Sequence, residues 1–267
     1  MFLTVKTTSG STSFLQEGVS NNNKAQENRR LNFFILLSKI ISVVTYKGKY
    51  ILNKQIFFGL VSIFLATICV SQTRVELFTN KGKIVVQLYE ETPIHRDNFI
   101  KLVNKNFYDS LMFHRVIKDF MIQVGDPNAK VTSNNSNFGG GGPGYTLEAE
   151  LAPNFIHKKG VLAAARLGDD LNPTRRSSGS QFYIVQGRTY PRKYMERFEE
   201  KRGKNYSEEE LKAYETIGGA PHLDGQYTVF GEVIEGMNIV ETIAEMPTSP
   251  ADRPLENVYI IKMKIVK

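Results

Sequence analysis

The sequence predicts a mainly-β domain of the sandwich or barrel class behind an N-terminal targeting segment. Three observations predict it: short runs with strand-like alternation, turn signals between them, and only a few segments with helical spacing. The chain has 267 residues, 41% of them hydrophobic, which is enough for one large core. With 21 Gly and 10 Pro it is neither collagen-like nor of low complexity. Its 23% of charged residues argues against a disordered polyampholyte.

The net charge of +7 is unevenly placed. Residues 1–72 hold eight Lys/Arg and two Asp/Glu, whereas residues 73–267 hold 26 and 25. The larger part is nearly neutral and carries no basic stripe, so no nucleic-acid partner is expected. Cys69 is the single cysteine, which excludes an intramolecular disulfide framework and a thiolate zinc site. The four histidines (His95, His114, His157, His222) form no close ligand pair, and no metal site is expected.

The first 72 residues form an N-terminal extension with a targeting core. Residues 1–31 are polar and irregular; Leu31–Val44 is apolar but interrupted by Lys39. Lys47, Lys49 and Lys54 then precede Ile56–Val70, which is 15 residues without a charge. A spanning helix needs about 20 apolar residues. The run instead suits the apolar region of a secretory signal over about residues 54–71, with basic residues upstream and Ser71 as a small residue near the cleavage point. This predicts export to the periplasm or envelope. The alternatives are an uncleaved anchor giving membrane association through 56–70, a lipoprotein box ending at Cys69, in which Ile68 is too large, and a buried core helix. Because about 50 residues precede the run, either the true start lies downstream, which we favour, or residues 1–53 are a cytoplasmic extension.

Residues 73–267 read as a single domain. Arg74–Phe78 and Lys83–Leu88 alternate around the turn signal Asn80-Lys81-Gly82 and predict a hairpin. Thr92-Pro93 reads as N-cap and first helical residue, with Phe99, Leu102 and Val103 on one face of the helix that follows. Further strands are expected at Met112–Ile117, Met121–Val124, Val161–Ala164, Gln181–Val185, Thr228–Val233 and Val258–Val266, and a second amphipathic helix at Met237–Met246. Residues 188–220 are highly charged and read as two inserted helices. Ser207 with Glu210 is a capping-box signature there, and Leu211, Tyr214 and Ile217 recur at helical spacing. A surface excursion is the plain reading of this insertion; partner docking is the alternative.

Among motifs that could carry chemistry, the glycine run Gly139–Gly142 with Gly144 lacks the Lys-Ser/Thr and the strand-to-helix unit of a phosphate loop, and reads as a tight turn that approaches other backbone. Ser180 lies in Gly179-Ser180-Gln181, not in a nucleophile elbow. What remains is a group of aromatic, apolar and amide residues around one arginine. In extended chain Phe113 shares a face with Arg115, Met121 with Gln123, and Gln181 with Tyr183. Together they predict an apolar pocket with a few convergent donors.

These residues carry a resemblance. Phe113-His114-Arg115, Phe120-Met121-Ile122-Gln123 with Gly125-Asp126, Gly179–Ile184, Leu223-Asp224-Gly225, Val229-Phe230-Gly231 and Val233–Glu241 are similar, in this order, to the cyclophilin signature, over about residues 74–267. The resemblance implies a closed eight-stranded antiparallel β-barrel capped by two helices. It also implies peptidyl-prolyl cis/trans isomerase activity without a cofactor, on proline-containing polypeptides, by a monomer. Carried over residue by residue, Arg115 and Gln123 become catalytic. Phe120, Met121, Tyr183 and Leu223 become the proline pocket, Gln181 holds the peptide backbone, and Ala165 and Arg166 contact the residue before proline. His222 and Tyr227 complete the substrate-binding set. Tyr183 stands where Phe is usual in the family, Arg166 where Asn is, His222 where Trp or Phe is, and Tyr227 where a histidine is. These departures bear on peptide preference and cyclosporin binding. A proline-binding scaffold with little turnover is the alternative function.

Overall fold

A computed structural model of the protein describes residues 72–132, 138–152, 154–203 and 205–266. The targeting segment and cleavage region expected at 1–71 lie outside these residues.

Strands β1 (Arg74–Thr79) and β2 (Gly82–Leu88) form the expected hairpin in continuous register from Arg74–Gln87 to Thr79–Gly82. Helix α1 (Pro93–Asn104) follows with Pro93 in its first turn, but the Thr92 side chain makes no cap bond. The Glu150 carboxylate, 56 residues on, accepts the Ile94 and His95 N–H groups at 3.0 and 2.9 Å instead. A charged acceptor at the positive end of the helix serves the same end as a local cap. Next come β3 (Arg115–Ile117), β4 (Met121–Val124), β5 (Thr146–Leu147), β6 (Val161–Ala164), β7 (Ser177–Ser178) and β8 (Phe182–Val185). The insertion contributes a 3-10 turn at Arg192–Tyr194 and helices α2 (Glu196–Arg202) and α3 (Glu208–Thr216). Ser207 and Glu210 make both bonds of the capping box. After a second 3-10 turn (Pro221–Leu223), β9 (Val229–Glu235), α4 (Met237–Ala244) and β10 (Ile260–Val266) complete the chain.

Eight strands form one curled antiparallel sheet, a half-barrel, in the order β10-β1-β2-β9-β6-β8-β4-β3; β5 and β7 pair separately. The expected closed barrel is therefore corrected: no ladder joins β3 to β10. Residues just before β3 do reach the start of the last strand, through an isolated bridge between Met112 and Tyr259 and the Phe113 N–H on the Val258 carbonyl at 2.8 Å. Beyond that point Val116 donates to the Asp252 carbonyl (2.7 Å), so the connection before β10 occupies the edge that β10 would need. The same diversion shortens the strand expected at Met112–Ile117 to three residues.

One core cluster holds the alternate residues Val75, Leu77, Ile84, Val86 and Leu88 with Phe99, Leu102 and Val103 of α1 and Val240 and Ile243 of α4. Alternation in the strands and helical spacing in α1 thus serve one apolar interior. The insertion has a small core of its own, in which Tyr190, Met195, Tyr206 and Tyr214 pack on Ile156. Ile217, expected on the buried face of α3, is half exposed because the helix ends at Thr216.

Candidate functional site

The site is laid out by strand register. Arg115 on β3 lies opposite Gln123 on β4, Gln123 opposite Tyr183 on β8, and Tyr183 opposite Ala163 on β6. Directly opposed residues project to one face, so guanidinium, amide and phenol line up across three strands. The β3–β4 turn holds Asp119 at φ 61° and places Phe120 beside Met121 at one end of this row. At the other end of β4, Gly125 (φ +104°) approaches the Ser180 carbonyl so closely that a Cβ there would collide with it.

A cavity of about 290 Å³ opens over the row. It is lined by nine of the expected residues: Arg115, Phe120, Met121, Gln123, Ala165, Arg166, Tyr183, Leu223 and Tyr227. His114, Phe138, Gly139 and Ala251 complete it. His222 does not line this cavity; its ring centre stands 5.1 Å from that of Phe120, which does. Gln181 lies in the neighbouring cavity of about 570 Å³, which shares Gln123, Gly139, Ala165 and Arg166 with the first.

Gln181 is tied to the first cavity through Gln123, which lines both. Its Oε1 accepts from Gln123 Nε2 at 3.0 Å, and its Nε2 donates to the Gly139 and Gly141 carbonyls at 2.9 and 2.7 Å. The buried Asp126 carboxylate receives the Gly139 and Gly141 N–H groups from the other side. The glycine run is thus clamped between an amide and a carboxylate. A Cβ at Gly141 would overlap Asp126. The turn against other backbone expected of the run is corrected: the run is laid out as bends, and its one close approach, at Gly141, is to these side chains.

Arg115 is 44% exposed at the cavity mouth, with Nε 3.4 Å from Asp252 Oδ2. A pair that open to water is weak and does not tie the guanidinium down. Arg166 is the opposite case. Its side chain is 3% exposed, lies 4.5 Å over the Tyr227 ring, donates to the Gln226 and Leu167 carbonyls at 3.0 Å each, and pairs with Asp169 at 2.6 Å. Hydrogen bonds from Arg166 and Arg175 hold the Asp169 carboxyl below its ordinary value. Arg166 therefore serves as a rigid wall shared by both cavities rather than a mobile contact.

Beneath the cavity lies a buried polar chain that sequence reading missed. The Asp224 carboxylate accepts the backbone N–H and Nδ1–H of His157 on Oδ1 (2.7 and 2.8 Å). On Oδ2 it accepts the hydroxyls of Tyr206 and Tyr214 (2.8 and 2.6 Å). The ring's other nitrogen, Nε2, meets the Tyr183 hydroxyl at 3.0 Å. Burial alone would raise the Asp224 carboxyl, but the bonds and charge of His157, with the Tyr214 bond, bring it below its ordinary 3.8. Burial pushes the Tyr183 phenol well above its ordinary range, which keeps its proton in place. Nothing in local spacing could reveal this chain, because its bonded partners lie 10 to 67 residues apart.

The curled half-barrel sets the fold class. The family described as cyclophilin type peptidyl-prolyl cis-trans isomerase/CLD matches residues 74–265. The chain belongs to this family of isomerases. A candidate peptidyl-prolyl cis-trans isomerase of Staphylococcus aureus is 35% identical over 190 residues, covering 71% of this chain and 89% of that protein. Its counterpart in Staphylococcus saprophyticus is 33% identical over 198 residues, covering 74% and 93%. Among solved structures, a cyclophilin type isomerase of Cryptosporidium parvum superposes with a TM-score of 0.53 at 23% identity, covering 73% of this chain and 98% of that one. A second structure of that protein, determined in the presence of the dipeptide Ala-Pro, gives 0.52.

Proposed function

We propose that the protein accelerates rotation about X–Pro bonds in folding polypeptides by a non-covalent, arginine-assisted route. The observation that carries this is the register row Arg115–Gln123–Tyr183 beneath a cavity of about 290 Å³. The imide bond is held planar by resonance, with a barrier of about 18–20 kcal/mol. In the twisted transition state the prolyl nitrogen becomes pyramidal and regains a lone pair. A donor aimed at it binds the twisted form better than the planar one, and only that difference lowers the barrier. Arg115 is such a donor: permanently charged, forked, and only weakly engaged by Asp252. Phe120, Met121, Tyr183 and Leu223 grip the pyrrolidine ring while the preceding carbonyl swings. Gln123, oriented by Gln181, fixes the peptide backbone. No bond is made or broken, so the scheme uses no nucleophile and no cofactor.

The test is cis–trans exchange of an Ala-Pro peptide followed at equilibrium by NMR with the full chain. Exchange should become faster in proportion to protein concentration. A peptide that binds at this cavity without faster exchange would refute the enzymatic reading in favour of a binding module. Export to the periplasm or envelope, supported by the Ile56–Val70 run and its basic flank, is part of the same proposal. N-terminal sequencing of the mature protein tests it, with a new terminus near residue 72 expected and an intact Met1 contrary to it.

A further inference from the structure

The charged insertion reads from sequence as a surface excursion, yet two of its buried side chains bond to a residue outside it, Asp224. Tyr206, just before α3, and Tyr214, within it, are buried, and both hydroxyls end on one oxygen of Asp224. The other oxygen of Asp224 holds His157 by backbone and ring, and His157 holds the hydroxyl of Tyr183, whose ring lines the cavity. The root of the insertion binds the same histidine from behind: Ala220 donates to the His157 carbonyl at 2.8 Å. Gly219 packs so closely there that a Cβ would meet that carbonyl and the Tyr214 ring. Leu223, another residue lining the cavity, immediately precedes Asp224.

We propose that the insertion is a positioning element for the cavity: Tyr206 and Tyr214 fix Asp224, Asp224 fixes His157, and His157 fixes the Tyr183 ring against which proline packs. This rests on reading the cavity as the proline pocket. Each link is a directional hydrogen bond in a dry interior, where an unmet donor or acceptor is costly, so the chain has one favoured arrangement. A phenylalanine in place of Tyr183 would supply the same ring without the tether. The hydroxyl is therefore what couples this pocket to the insertion. The insertion acts on substrate affinity through the pocket floor, while Arg115 on β3 stays outside the chain of contacts.

The experiment is a double-mutant cycle in the full chain. Tyr206→Phe/Tyr214→Phe removes the two hydroxyl donors to Asp224, and Tyr183→Phe cuts the tether at the pocket. In the wild-type background the tyrosine pair should raise KM for an X–Pro peptide about fivefold, with kcat held within about twofold. In the Tyr183→Phe background the same pair should change KM by less than about 1.5-fold. Equal changes in both backgrounds would overturn the proposal, since a merely structural insertion acts additively. If the pair does not fold, the single Tyr214→Phe variant enters the same cycle. Imidazole ¹⁵N shifts give a readout independent of turnover. The His157 signal should move on Tyr214→Phe and on Tyr183→Phe, and a signal unmoved by Tyr214→Phe is contrary. Should the wild type lack turnover, the proposed function fails, while the cycle on peptide Kd and the His157 signal still judge the coupling.

Discussion

Arg115 and Arg166 show how one side chain type takes two roles at one site. Arg115 stands in water beside an exposed carboxylate, and Arg166 is locked among carbonyls, a ring and Asp169. A lysine has one charged head and cannot reproduce the fork that meets Gln226, Leu167 and Asp169 together. Arg166→Lys should lower stability measurably, read from urea unfolding, because the bonds to the Gln226 and Leu167 carbonyls are lost with the fork. It should also weaken binding of peptides varied at the residue before proline. A change within about 0.5 kcal/mol would show the wall to be held by other contacts.

At the scale of elements, α1 depends on a residue outside its own sequence. Glu150 accepts two of its first N–H groups and the His95 ring at 2.6 Å. Glu150→Ala should cost about 1–2 kcal/mol, as loss of a helix cap does, whereas Thr92→Ala should cost less because Thr92 makes no cap bond. Equal losses would restore the local cap that Thr92-Pro93 suggests. The same contrast explains what could be read in advance. The β1–β2 hairpin, α4 and the capping box of α3 are written in short-range alternation, turn residues and spacing. The two-residue pair β5–β7 has no pattern long enough to be seen. The open edge at β3 depends on Asp252, which lies 136 residues from Val116 and is invisible to any local window. The site divides likewise. Its lining residues fall in short contiguous motifs, whereas His157, Tyr206 and Tyr214 acquire their part only through Asp224.

For the whole molecule, buried titrating groups set an acid limit on stability. Burial holds the His114 imidazole below its ordinary 6.5, so the unfolded chain takes up that proton first as pH falls. Its contribution to stability is complete above pH 6.5 and declines as pH drops from there toward the folded-state value. Asp224, held below 3.8 in the folded state, contributes fully above 3.8 and loses that contribution as pH falls through its lower folded value. Chemical denaturation at a series of pH values should therefore show a decline beginning near 6.5 and a steeper one below 3.8. His114→Gln should flatten the first stage. A first stage unchanged in that variant assigns it elsewhere.

The proposal that one guanidinium favours the twisted imide is best examined by separating turnover from binding. NMR exchange rates on an Ala-Pro peptide, with peptide Kd measured alongside, should be compared between wild type and Arg115→Ala. Turnover should fall by about 10²–10³-fold, the scale on which a preorganised charge donor acts, with Kd changed by less than about threefold. Undiminished turnover in Arg115→Ala, or a loss traced wholly to weaker binding, would remove the arginine from the reaction.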